Sequence, residues 1–306
     1  MMELINGQKE EVLVLPAHVR SNYSGLSTLM TFFDEHVKSN IAKRYTLEFD
    51  REAWFDANLL PVLYAYVQYY QGEFGYSFSY RYNKQRCNSK IQELIIRNGF
   101  AEQCFNVQSE PKAEETVVPF KIFSSKDSYN FGKYIDAEIP RYLPAMEADV
   151  QRDISAYIQE LFGNAKDHGI CDRVFTCGQL YPSKGKMDFT IANLGKTFKE
   201  NVDEYFKVSE TPAPDYSIAW AVEPEHSTKL DVTGGLGLTL MRDFIHHNNG
   251  RFQIVSGNEY WELNRKKEVS RRFDVCFPGT IVNIEIDQKD KKYYKYNETE
   301  VSGNIF

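Results

Sequence analysis

The run Thr233-Gly234-Gly235-Leu236-Gly237-Leu238, leading straight into Thr239-Leu240-Met241-Arg242-Asp243-Phe244-Ile245, restricts this chain more than any other stretch. Three glycines in four positions form a loop whose backbone N–H groups can converge on an anion. The apolar helical pattern behind them adds the positive end of a helix dipole. These are the ingredients of phosphate binding. A Gly-Gly-x-Gly turn before a helix also serves as a tight packing turn, so the loop takes its meaning from its surroundings.

The chain has 306 residues, 42% apolar and 14% aromatic, which is enough for a large core and, by length, for two domains. Apolar stretches such as Ala57 to Val67 are too short, and too polar at their ends, to span a bilayer. Met1 to Glu10 lacks the basic flank and apolar centre of a signal peptide. A cytoplasmic protein that makes no use of a membrane is expected. Five cysteines, Cys87, Cys104, Cys171, Cys177 and Cys276, are far apart and form no C-x-x-C pair, so they read as inert core thiols. The net charge of −7 argues against nucleic acid as a partner. Arg265-Lys266-Lys267 and Arg271-Arg272 read as solvated loop.

Strands alternate with helices in the first hundred or so residues: strand at 12–16, helix at 25–39, strand at 45–49, helix at 58–70, strand at 76–82 and helix at 89–97, closed by Asn98-Gly99. With its short loop Trp54 to Asn58 feeding a helix, this order resembles a STAS domain, as found in anti-anti-sigma factors. Ala57 stands where phosphorylated members carry a serine, so the resemblance implies a partner-binding or regulatory unit without that phosphoswitch. His36 reads as solvent-facing. Gln108 to Thr116, charged and carrying a proline, is the expected linker.

From Glu147 onward Val150, Ile154, Ile158, Leu161 and Ala165 recur at helical spacing on one face. Glu160, Asn164 and His168 fall on a stripe along one flank of it, at about 100° per residue. A carboxylate and an amide at the rim of a core suggest a cleft wall. Strands follow at 173–181 and 186–192, joined by the turn Pro182-Ser183-Lys184-Gly185. The next helix stops at Asn248-Asn249-Gly250, and strands are expected at 252–256, 274–277 and 281–286 around a polar excursion from Asn258 to Ser270.

The spacing Glu160-x-x-x-Asn164-Ala165-x-x-His168 resembles the N-box of the GHKL superfamily, which unites DNA gyrase, the large heat-shock chaperones, sensor histidine kinases and MutL. The resemblance implies Asn164 as a ligand of Mg2+ and Glu160 as the general base for hydrolysis, with His168 beside the nucleotide. Asn193-Leu194-Gly195-Lys196-Thr197 is similar to the family's G1 box, with Asn193 in place of the adenine-binding aspartate and Thr197 in place of the second glycine. An asparagine carbonyl still accepts the adenine hydrogen bond, less strongly than a carboxylate. Lys199 to Val232 has the length and position of the ATP lid, with Lys229 as a candidate γ-phosphate contact. Gly234, Gly235, Leu236, Gly237 and Leu238 resemble the G2 box, and Gly279-Thr280 the Gly-Thr signature near adenine.

The expected organisation is α/β: a STAS-like domain at 1–107, a linker at 108–117, a GHKL two-layer sandwich with a mixed sheet at 118–290 and a charged tail at 291–306. The resemblance implies binding of ATP or ADP with Mg2+, slow hydrolysis, a protein partner through the first domain and, as often in the family, a homodimer. The alternatives are a kinase of the anti-sigma or histidine type acting on a separate partner, and a nucleotide sensor or scaffold without turnover.

Overall fold

Residues 8–80 alternate between strand and helix because their apolar positions recur first at every second and then at every third or fourth residue. The computed structural model describes residues 2–5, 8–38, 43–50, 54–81, 89–106, 116–224, 226, 228 and 236–295. Strands β1 (Met2–Ile5) and β2 (Gln8–Leu15) pair antiparallel, and β3 (His18–Val19) leads to helix α1 (Tyr23–Phe33). The Asn22 side chain caps α1 by accepting from Gly25 N–H at 2.9 Å. A π turn, Asp34–Lys38, extends α1. Next come β4 (Arg44–Phe49), β5 (Trp54–Phe55), a 3₁₀ turn Ala57–Leu59, α2 (Leu60–Phe74) and β6 (Ser77–Tyr80). The sheet order is β1-β2-β4-β6, with β2, β4 and β6 parallel. Helices α3 (Ser89–Arg97) and α4 (Phe100–Phe105) are separated by Gly99 at φ 80°, where glycine adopts a left-handed turn without strain.

The second half contributes β7 (Val117–Ser124), α5 (Ser128–Glu138), α6 (Ala148–Asp167), β8 (Arg173–Tyr181), β9 (Lys186–Leu194), α7 (Phe198–Val208), α8 (Ser217–Ala221), α9 (Leu236–Asn248), β10 (Arg251–Asn264) and β11 (Lys267–Asp287). Its five strands run in the order β10-β11-β9-β8-β7, every neighbouring pair antiparallel. The resemblance implied a mixed sheet; the parallel pairs lie in the first half instead. The protein is thus mixed α/β.

Alternation gives the five-stranded sheet two buried faces. Met187, Phe189, Ile191, Ile254, Val282 and Ile284 join one core with residues of α5, α6 and α9. Phe175, Cys177, Ala192, Val255 and Ile281 join another with Leu29, Phe33, Leu63 and Val67 of α1 and α2 and with Leu13 and Leu47 of the first sheet. The layers therefore run helices, five-stranded sheet, α1 and α2, four-stranded sheet. Where two layers were expected around the second sheet, its far face is covered as well.

That far face is not wholly apolar. Asn58, fully buried, directs its Nδ2 toward Asn283 Oδ1 at 2.7 Å, Thr190 Oγ1 at 3.0 Å and Ser21 Oγ at 3.1 Å. Asn283 in turn donates to Gln253 Oε1 at 2.9 Å. Further along lies a charged group: Lys186 is 3.0 Å from Asp188 and also pairs with Glu285, and Arg251 meets Glu285 at 2.9 Å. Burial first, and then the charge of Glu285, push the Asp188 carboxyl up to about 7 against the pull of Lys186 and Arg251. Burial also works against the Glu285 charge, but Arg251 and Lys186 outweigh it and hold that carboxyl low.

Several expectations change. The polar excursion at 258–270 is strand: Tyr260, Trp261 and Leu263 are buried, and β10 and β11 form one long hairpin turning at Arg265 and Lys266. Bulges beside Gly257 shift the register, which broke the expected alternation. Arg271 and Arg272 lie in strand β11 and not in a loop. β7 and α5 were not foreseen; β7 is interrupted by a register shift between Val118 and Lys121, and the sequence of α5 is largely polar. Tyr294, expected in a surface tail, is buried beside Phe244 and bonds through its backbone to Ala145 and Glu147. Among the described cysteines only Cys177 is fully buried, and Cys276 is exposed. His36 is exposed, its ring stacked on Phe32. Among the described residues no helix is long and apolar enough to cross a membrane.

Two outcomes are expected. Asn58→Ala strands buried acceptors and lowers stability by about 1–3 kcal/mol, read as a lower urea midpoint at unchanged slope. Folded Asp188 retains a proton that the unfolded aspartate sheds from pH ~4, so this group's contribution to stability falls as pH rises toward about 7. Asp188→Asn removes that decline, and urea midpoints near pH ~5 and ~8 should shift in the variant's favour at the higher pH.

Candidate functional site

Helix α6 builds the first wall of the site. Its apolar stripe, Val150, Ile154, Ile158, Leu161 and Ala165, is buried against the sheet and neighbouring helices, and Phe162 stacks on Phe131 with ring centres 4.2 Å apart. Burying that stripe fixes the rotation of the helix and leaves Glu160 and Asn164, one turn apart, facing a cavity of about 150 Å³. Neither side chain has a hydrogen bond or ion pair among the described residues. Below them Leu161, Ala165, Ile191, Val282 and Leu238 form an apolar floor. His168, at the end of the helix, lines the cavity and faces Thr228 Oγ1 through Nδ1 at 3.2 Å.

The second wall comes from β9 and β11. Asn193 and Thr280 stand opposite one another in the strand register, and both line the cavity. Thr280 shares a 2.8 Å hydroxyl contact with Ser256, and Asn193 Nδ2 donates to the Leu194 carbonyl at 3.3 Å. A Cβ on Gly169 would lie 2.7 Å from Asn193 Nδ2, so only glycine lets the end of α6 pass under this side chain.

Gly195, at φ 125°, does not line the cavity. It crosses Gly169 so closely that a Cβ would lie 2.2 Å from the Gly169 carbonyl. Thr197 also lies outside the cavity: it caps α7 in a reciprocal pair, its N–H donating to Glu200 Oε2 at 2.7 Å and its Oγ1 accepting from Glu200 N–H at 3.3 Å. The Thr197 hydroxyl, donating to Glu200 Oε2 at 2.6 Å, and after it the Thr197 N–H keep the Glu200 carboxyl below its usual range.

Of the glycine loop, Gly234 and Gly235 lie outside the described residues, as does Lys229. Leu236 opens α9, and Leu238 lies in the cavity floor. Gly237 packs directly on the catalytic candidate: a Cβ there would lie 2.5 Å from Glu160 Oε2 and 2.9 Å from Glu160 Cβ. The Glu160 carboxylate is therefore held against the first turn of α9, next to the positive end of that helix.

The third wall lies within the Lys199 to Val232 stretch expected as the lid, where His226 was expected near the phosphates; Trp220 there, and Lys196 in the G1-like motif, were not singled out. Trp220 and His226 line the cavity as a stacked pair, ring centres 4.7 Å apart, with His226 Nδ1 2.7 Å from the Trp220 carbonyl. Lys196 also reaches the cavity and pairs with Glu204 of α7. The signals available were a tryptophan in the short apolar run Ile218 to Val222 and a lysine inside the Asn193 to Thr197 motif. Among the described residues no three His, Cys, Asp or Glu side chains gather where they could hold a metal ion.

No model of a known protein family matches this chain, and no curated protein matches it.

Gly237→Ala tests the packing of Glu160. Alanine favours the helix by up to ~1 kcal/mol, but the collision with Glu160 dominates. The melting temperature should fall, and fall less in a Glu160→Ala background, where the Oε2 and Cδ contacts are gone.

Proposed function

We propose that this chain binds ATP with Mg2+ in the cavity between α6 and the ends of β9 and β11, and hydrolyses it slowly. The observation that carries this reading is the pair Glu160 and Asn164, without side-chain partners among the described residues, one helical turn apart and facing the same cavity as Asn193 and Thr280. The GHKL resemblance supplies the nucleotide, and the layer of α5, α6 and α9 over the five-stranded sheet is consistent with its sandwich. On the same reading the first half is a STAS-like regulatory unit.

Asn164, a neutral oxygen donor without a competing partner among the described residues, fits a hard cation that keeps most of its waters. Bound Mg2+ supplies neutralisation of phosphate charge. Glu160, held against the first turn of α9, takes the proton of the attacking water. The Asn193 carbonyl accepts from the adenine amino group, and Lys196 adds positive charge near the phosphates. The cavity, about 150 Å³, is smaller than the roughly 300–1,000 Å³ of typical ligand pockets, so a nucleotide needs the Trp220 and His226 wall to move outward.

A second reading is a sensor that binds without turnover. It is favoured by the neutral Asn193 and by the use of Thr197 as a helix cap. Tight ATP binding with phosphate release at background would select it, and transfer of a labelled phosphoryl group to a partner protein would select a kinase.

Thermal unfolding with ATP and MgCl₂ tests the main proposal. Ligand at ~100 times its Kd should add about 2.7 kcal/mol of stability to the wild type. Asn164→Ala should lose the Mg2+-dependent part, and Glu160→Gln should keep binding while phosphate release falls to background. Unchanged hydrolysis in Glu160→Gln removes Glu160 as the base, and the absence of any ATP effect removes the proposal.

A further inference from the structure

The wall that must move hangs from a helix too short to hold itself. α8 spans only Ser217–Ala221, well under the length at which a helix is stable alone. Tyr205 and Phe206 of α7 pack on Trp220, ring centres 5.6 and 5.3 Å away, and the β10–β11 hairpin holds the start of the helix and the segment before it. Glu259, buried in β10, accepts the Ile218 N–H through Oε2 at 3.1 Å, while its Oε1 has no partner among the described residues. Arg272 faces Glu259 across the hairpin register. Its guanidinium lies 4.6 Å over the Tyr216 ring and donates to the Asp215 carbonyl. Residues 215–218 are thus gripped from both strands.

The first half of the chain grips the same hairpin from another side. Tyr23, the first residue of α1, donates its hydroxyl to the Arg272 carbonyl at 2.7 Å. Its ring stacks on Phe273 at 4.6 Å with planes 8° apart, and the Arg271 guanidinium lies 5.0 Å above it. Arg272 therefore touches α1 through its carbonyl and the support of the cavity wall through its side chain.

We propose that Glu259 and Arg272 are positioning residues for the Trp220 and His226 wall, and that Tyr23 sets the hairpin that carries them, so that the first half of the chain governs how readily the cavity opens. Glu259 supplies an acceptor to the first turn of α8 and Arg272 fixes the segment before it. A shift of α1 moves the Arg272 backbone and, with it, both grips. Packed side chains and hydrogen bonds of this kind carry coupling between sites on the scale of ~5–150-fold in affinity. The inference rests on the nucleotide reading only for its second readout.

The test uses the full chain carrying Trp54→Phe. That change removes an exposed indole, and Trp261 is buried, so acrylamide quenching reports Trp220. Without ligand, Arg272→Gln, Tyr23→Leu and Glu259→Leu should each raise the quenching constant. Glu259→Gln, which keeps an acceptor for Ile218, should leave it near wild type. In the second readout, Trp220 emission titrated with ATP and MgCl₂, Tyr23→Leu should change Kd by about fivefold or more. Tyr23→Phe, which keeps the stack and loses the hydroxyl, should fall between. Thr28→Ala, on the exposed side of the same helix, should change neither. Tyr23→Leu with Arg272→Gln should resemble one single variant more than the product of both. If folded Tyr23→Leu and Arg272→Gln, both altered at half-buried or exposed positions, leave quenching and Kd at wild-type values, the proposal is overturned. If the wild type does not bind ATP, the nucleotide reading fails, and the quenching comparison still decides the positioning roles.

Discussion

A strand face that carries Asp188, Thr190, Gln253 and Asn283 cannot be covered by hydrocarbon alone. Each buried polar group demands a partner, and Asn58 supplies the central one by reaching Thr190 and Asn283 on adjacent strands. That requirement fixes where the turn before α2 lands on the second sheet. Apolar contacts then complete the fit, among them Tyr64 edge-on to Phe175 and Tyr66 edge-on to Phe277. Apolar packing supplies most of the drive, while hydrogen bonds fix the register in which the two halves meet.

The same two strands face both ways. β9 carries Thr190 toward Asn58 and Asn193 into the cavity, and β11 carries Asn283 toward Asn58 and Thr280 into the cavity. Whatever the cavity binds is separated from the first half of the chain by one strand's thickness. The hairpin that continues β10 and β11 past the bulges extends this contact to the wall bearing Trp220.

The parts of this arrangement that could be read from sequence are those set by local periodicity. Val150 to Ala165 announced α6 and placed Glu160 and Asn164 on its flank because a helix obeys its 3.6-residue turn wherever it packs. The hairpin at 258–270 was hidden because the bulge at Gly257 breaks the alternation, and charged residues interleave with Trp261 and Leu263. Thr197 and Gly195 carry the same residue types whether they touch a ligand, cap a helix or allow two backbones to cross. Their local sequence does not separate these roles; Glu200 three residues after Thr197 was the cue for a cap. The covering of the second sheet by α1 and α2 is a tertiary fact, and polar residues such as Thr190 and Asn283 give no sign of which partner they meet.

Leu194 pairs directly with Gly279, although α7, α8, α9 and β10 all intervene in the chain. The whole third wall of the cavity is consequently a loop closed at its base by two adjoining central strands. Closure entropy grows only with the logarithm of loop length, about 0.6 kcal/mol for each doubling. Insertions or deletions in the stretch between α7 and α9 would therefore reshape the cavity at little cost to the sheet. The architecture leaves this wall of the cavity free to diverge faster than the strands that anchor it.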